Sequence, residues 1–98
     1  MNPTIVYTLE PKTKFKRDLK RARRRNWDLS LLAKATDLLL ATGKLSADYK
    51  PHPLKGKYEG CIDAHIKSDW VFIYEVDEEE KVVILHRTGT HQDVFVNY

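Results

Sequence analysis

Residues 61–90 read CIDAHIKSDWVFIYEVDEEEKVVILHRTGT, and three strands can be drawn through them. Cys61–Ile66 alternates. Ile62, Ala64 and Ile66 fall on one face and Cys61, Asp63 and His65 on the other, because successive side chains of a strand point to opposite sides. Lys67-Ser68 predicts a turn. Trp70–Val76 is the most β-prone run in the chain, and Asp77–Glu80 reads as an acidic turn. Val82–Arg87 is nearly all apolar and predicts the last strand. Thr88-Gly89-Thr90 breaks it, and His91–Phe95 is expected to form one helical turn.

Working back toward the N-terminus, Lys44–Gly56 carries two prolines and no clear period, so it reads as an ordered loop with His52 between Pro51 and Pro53. Before it, Leu31, Leu32, Ala35, Leu38, Leu39 and Thr42 recur at helical spacing. Asp28 suits the N-cap of this helix and Gly43 its C-terminal stop. An earlier helix is expected from Phe15, Leu19 and Ala22, with Pro11 in its first turn. Thr4–Leu9 is β-branched and aromatic and reads as a strand. The order is β-α-α-β-β-β with a short C-terminal helix. This predicts an α+β fold, a mostly antiparallel sheet with a helical hairpin on one face. Asp63 and His65 would line the opposite, open face.

A chain of 98 residues makes one domain spanning 1–98. Cys61 is the only cysteine, so no internal disulfide can form, and the residue reads as a half-buried thiol in a reducing compartment. No apolar run approaches the roughly 18 residues of a membrane span, and the N-terminus lacks a signal-peptide pattern, so a cytoplasmic location is expected. Net charge is +3, but unevenly spread. Residues 1–60 carry 14 Lys and Arg against 6 Asp and Glu, whereas residues 61–98 carry 3 against 8. Within residues 12–25 nine lysines and arginines stand against a single acidic residue, Asp18. Solvated basic helix faces are common, yet this density points to phosphate, with Lys16, Lys20, Arg21, Arg23, Arg24 and Arg25 as candidate RNA contacts.

The carboxyl half supplies the parts for metal-free RNA cleavage through the 2′-OH: a base, an acid, a cation for the phosphate and an aromatic for a base. His52, His65, His91 and Asp69 are the candidate proton-moving groups. Arg87 has the fork that matches phosphate oxygens. Trp70 or Phe95 could stack on an unpaired base, although Trp70 also suits a core, and Asp63 suits either substrate contact or the pinning of a neighbour. His86 follows an apolar run, and strict alternation puts it on the face opposite Arg87, as a packing residue. Asp63 and His65 are residue types zinc uses, but there is no HxxxH or CxxC, so neither metal nor cofactor is expected.

YKPHPLKG (49–56), DAHIKSDWVFIYEV (63–76) and RTGTHQDVF (87–95), taken together and in order, resemble the YafQ-like branch of the RelE superfamily of bacterial type II toxins. The resemblance covers essentially the whole chain and implies a microbial-ribonuclease type of α+β fold. It implies a ribosome-dependent mRNA endonuclease acting in the decoding site, with ribosome and mRNA as partners and an acidic, RelB/DinJ-like antitoxin as its inhibitor. It also implies roles: His91 as acid, Asp69 with His65 or His52 acting on the 2′-OH, Arg87 on the phosphate, Phe95 against the codon. Asp63 also sits at a matching position. Two other functions are compatible with the basic body: a ParE-like toxin acting on DNA gyrase, and a plain RNA-binding module with incidental histidines.

Overall fold

A computed structural model describes residues 6–96. Its elements are β1 (Thr8–Pro11), α1 (Thr13–Arg24), α2 (Leu29–Thr42), β2 (His52–Pro53), β3 (Ile62–Lys67), β4 (Trp70–Asp77) and β5 (Val82–Gly89), then a π-helical turn over Gln92–Val96. The strands form one sheet in the order β1-β5-β4-β3-β2. β1 runs parallel to β5 and every other pair is antiparallel. The α+β architecture expected from the sequence is present, with one added strand. β2 is two residues long, too short to show a period, and it pairs His52 with Asp63.

Pro11 departs from expectation. It closes β1 rather than opening α1, and as part of an edge strand its missing N–H removes no ladder bond. The Lys12 amide continues the pairing by donating to the Leu85 carbonyl at 2.9 Å, and α1 begins one residue later. The first residues of the expected Thr4–Leu9 strand, Thr4 and Ile5, lie outside the described residues. α2 is capped as expected. The Asp28 carboxylate accepts the Ser30 amide, and Gly43 takes the left-handed conformation, φ 72°, while its amide bonds the Leu39 carbonyl.

Phe15 of α1 and Leu32, Ala35 and Leu39 of α2 pack onto Ala64, Trp70, Phe72, Tyr74, Val83 and Leu85 of the sheet. The buried stripe of α2 is narrower than its sequence suggests: Leu38 and Thr42 are exposed, and the Thr42 hydroxyl bonds the Leu38 carbonyl instead. The other sheet face is not left open. Val94 folds back onto Cys61, Val71 and Ile73, flanked by Leu54, Tyr58 and Phe95, and this small second core fixes the C-terminal turn against the sheet.

β5 carries an irregularity that positions the site. Tyr74 pairs with Leu85 and Ile73 with Arg87, so His86 is an extra residue, a β-bulge. Leu85 faces the helices; His86 faces away, and so does Arg87. Alternation therefore fails at this point, and His86 and Arg87 share the face that the sequence had divided between them. No described helix is long and apolar enough to cross a membrane.

Candidate active site

Three histidines converge where β2, β3 and the C-terminal turn meet. The His52 and His65 ring centres are 6.3 Å apart, and those of His65 and His91 5.4 Å. Each arrives by a different route. His52 is placed by the two-residue pairing of β2 with β3, His65 by alternation along β3, and His91 by the turn that Val94 anchors.

Two aspartates serve these rings in different ways. Asp69, exposed at the β3–β4 turn, accepts from His91 twice, from the backbone amide at 3.0 Å and at ring Nδ1 at 2.7 Å. A carboxylate accepts only, so Nδ1 carries a proton and Nε2 is left facing outward. The bonds from His91 hold the Asp69 carboxyl below the ordinary carboxylate range. Asp63 is buried beneath the other two rings, with Oδ2 at 3.3 Å from His52 Nε2 and 4.0 Å from His65 Nε2. Burial raises its pKa above the ordinary value, while charge on His52, His65 and His91 pulls it down. Its Oδ1 has no hydrogen-bond partner among the described residues. Asp63 therefore backs the histidines.

The environment of His52 constrains its protonation. Nδ1 lies 3.2 Å from the Lys50 carbonyl, an acceptor, and Nε2 faces the Asp63 carboxylate. Among the described residues His65 has no comparable hydrogen bond, and its ring nitrogens are left to meet a ligand.

The remaining predicted site residues divide. Phe95 is half-buried, edge-on to Tyr58 at 6.2 Å and 6.1 Å from the His91 ring, so one edge borders the histidines. Trp70 is in the helix-side core. Its Nε1 donates to the Thr88 hydroxyl at 2.8 Å and its ring packs on Trp27, so it cannot stack on a nucleobase. Arg87 is on the correct face but buried. Nε and Nη2 donate to Asp18 at 2.7 and 3.2 Å, and Nη2 also reaches the Asp93 carbonyl, so its fork is committed within the protein and supports the turn that carries His91.

The basic helix divides likewise. Lys16, Lys20, Arg23 and Arg24 are exposed. Arg21 is bonded to Asp18 at 2.6 Å, and Arg25 to Asp93 at 2.7 Å. Sequence reasoning missed Asp18 and Asp93 as organisers. Asp18 follows Phe15 by three residues, which puts it on the buried side of α1, and that spacing was a readable signal. Asp93 accepts the Thr90 amide while Thr90 Oγ1 accepts the Asp93 amide, a reciprocal lock on the turn. Arg25 and Thr90 together hold the Asp93 carboxyl far below the usual range.

Known proteins share this fold and much of this sequence. Residues 7–96 match the family described as bacterial toxin of type II toxin-antitoxin system, YafQ. The mRNA interferase toxin YafQ of Escherichia coli K12 is 38% identical over 92 residues, covering 93% of this chain and 98% of its own. The E. coli DinJ-YafQ toxin-antitoxin complex contains a chain that superposes with TM-score 0.81 at 36% identity, over 93% of this chain and 99% of that one. A metal-bound toxin from Helicobacter pylori superposes with TM-score 0.82 at 35% identity, over 91% and 99%.

Proposed function

The chain belongs to the YafQ family of toxins of type II toxin-antitoxin systems, and on that footing we propose that it is an endoribonuclease that cuts messenger RNA on the ribosome. The observation that carries the reading is the pairing of His91 with Asp69 at 2.7 Å, 5.4 Å ring to ring from His65, which makes no hydrogen bond among the described residues. One histidine is held as a donor by a carboxylate, and its neighbour is available as an acceptor. That is the pairing that acid-base cleavage of a phosphodiester uses.

The steps follow from these roles. His65 takes the 2′-OH proton, and the 2′-oxygen attacks phosphorus. The bond to the 5′-oxygen breaks as His91 Nε2 delivers a proton to it, leaving a 2′,3′-cyclic phosphate and a 5′-OH. Asp69 orients the His91 ring so that Nε2 points toward the leaving oxygen. Asp63 orients His52 and His65, and Arg87 acts through the turn instead of on the phosphate. Phe95 contributes an aromatic edge at the rim for a base. None of these steps calls on a metal ion.

The exposed Lys16, Lys20, Arg23 and Arg24 would bind ribosomal RNA through phosphate contacts. An acidic antitoxin segment would compete for the same charge, and the partnership of the E. coli relative with DinJ supports such an inhibitor. The test is purified protein added to programmed ribosomes, with cuts mapped by primer extension. Cleavage at a fixed codon position should require both the ribosome and His91. Equal cleavage of free RNA would overturn the ribosome requirement, and an undiminished His91→Ala variant would overturn the assignment of the acid.

A further inference from the structure

The sheet face that carries the histidines holds a second set of ligand-type side chains at its other end. Cys61 directly precedes β3, Glu75 is on β4 and His86 is on β5. Cys61 is buried, and Glu75 and His86 are half-buried. The thiol, the carboxylate and the imidazole each place an atom within 4.8 Å of the other two. We propose that Cys61, Glu75 and His86 form a binding site for a divalent transition metal ion, with zinc as the best fit.

The donor set is the first argument. Sulfur, nitrogen and carboxylate oxygen are the ligands zinc takes, at roughly 2.0–2.3 Å, which puts tetrahedral ligands roughly 3.4 Å apart. His86 Nε2 and Glu75 Oε1 are at 2.9 Å, and closing the thiol onto them needs a side-chain adjustment on the order of 1 Å. A cross-strand His–Glu pair alone would account for that contact. It would not account for a buried thiol converging on the same point from the residue that leads into a third strand.

Charge is the second. Lys12, Lys14 and Lys57 line the adjoining cavity of about 460 Å³ and would oppose a bare cation. A thiolate and a carboxylate cancel both charges of the ion, so the lysines face a neutral centre. Burial and the nearby Glu75 carboxylate raise the pKa of the Cys61 thiol, so without metal it keeps its proton. Cys61, Glu75 and His86 all line that cavity, from which water could supply a fourth ligand.

This centre is separate from the candidate active site. Cys61 and His65 are four residues apart on the same face, roughly 13 Å along a strand. Metal there would join β3, β4 and β5, the three strands that carry or flank the histidines, and so would stabilise the frame of the site.

Cobalt(II) titration of metal-free protein tests it, because thiolate coordination gives a near-ultraviolet charge-transfer band. The band should saturate at one equivalent, be displaced by zinc, disappear in Cys61→Ser and need roughly tenfold more cobalt or worse in His86→Ala. It should be unchanged in a His65→Ala/His91→Ala double variant. Zinc should raise the melting temperature of the native chain and not that of His86→Ala, which keeps the test valid if the cysteine variant does not fold. No thiolate band at millimolar cobalt, a band undiminished in His86→Ala, or one that disappears with His65 and His91 would each overturn the proposal.

Discussion

Asp18→Ala should be among the most damaging single changes on this surface. The Asp18 carboxylate accepts from Arg87 Nε at 2.7 Å and Nη2 at 3.2 Å, from the Thr88 amide at 3.0 Å and from Arg21 at 2.6 Å. It is 3% exposed and Arg87 5%. Truncation leaves a buried guanidinium with only the Tyr58 hydroxyl at 3.5 Å and the Asp93 carbonyl at 3.3 Å. Breaking a buried ion pair from one side costs about 3–5 kcal/mol. A domain of this length has roughly 5–15 kcal/mol in all. Its unfolding entropy near the melting temperature is about 0.2 kcal/mol per degree, so the melting temperature should fall by roughly 15–25 °C. Urea denaturation and calorimetry of the purified chain would measure this. The companion variant Asp18→Ala/Arg87→Met removes both charges and should recover at least half of the loss, because an apolar replacement of a buried pair is often neutral. A cost below about 1 kcal/mol for Asp18→Ala, or no recovery in the double variant, would refute the view that Asp18 holds Arg87.

Three further changes examine other parts of the structure. Asp63→Asn should leave the protein at least as stable at neutral pH while abolishing cleavage. Burial raises the Asp63 pKa, so its ionisation removes stability as pH rises above the ordinary carboxylate value, against the opposing pull of the facing His52, His65 and His91. Melting curves from pH 4 to 8 should diverge in favour of the variant, and a uniform loss at every pH would contradict this. Asp93→Asn should act in the opposite sense. The Asp93 pKa is depressed, so its contribution is present above the ordinary carboxylate value and lost as pH falls; the variant should be less stable at pH 7 and converge with the native chain in strong acid. Gly43→Ala should cost more than the roughly 1–2 kcal/mol of left-handed strain, because its Cβ would lie 2.5 Å from the Tyr7 ring; urea midpoints should show it.

Much of this was legible because periodicity reports faces. Alternation over Cys61–Ile66 assigned Ala64 to the helix-side core and Asp63 and His65 to the other face, and the structure keeps that division. The caps of α2 were legible because Asp28 and Gly43 act locally. What was hidden depends on contacts distant in sequence. β2 has two residues and no period, so nothing local marks His52 as paired with Asp63. Trp70 carries a polar N–H whose partner, Thr88, comes from another strand. Arg21 and Arg25 look like their neighbours in composition, and only the placement of Asp18 and Asp93 withdraws them from the free basic surface.

The bulge at His86 shows how much one residue can decide. With strict alternation, Val83, Leu85 and Arg87 would share the helix side, and a guanidinium would enter an apolar layer containing Phe72 and Tyr74. The extra residue turns Arg87 to the face of Ile73 and rotates Thr88 inward, opposite Phe72. Both side chains then find partners. Thr88 accepts from Trp70 and donates to the Val71 carbonyl, and Arg87 meets Asp18, which reaches the β5 edge beyond the point where β1 stops pairing. From there Arg87 reaches the Asp93 carbonyl, in the turn whose first residues place His91 beside Asp69. A one-residue insertion thus converts an unfavourable burial into the support of the candidate acid. A deletion at His86 should therefore disrupt Arg87, Trp70 and His91 together, although it removes none of them.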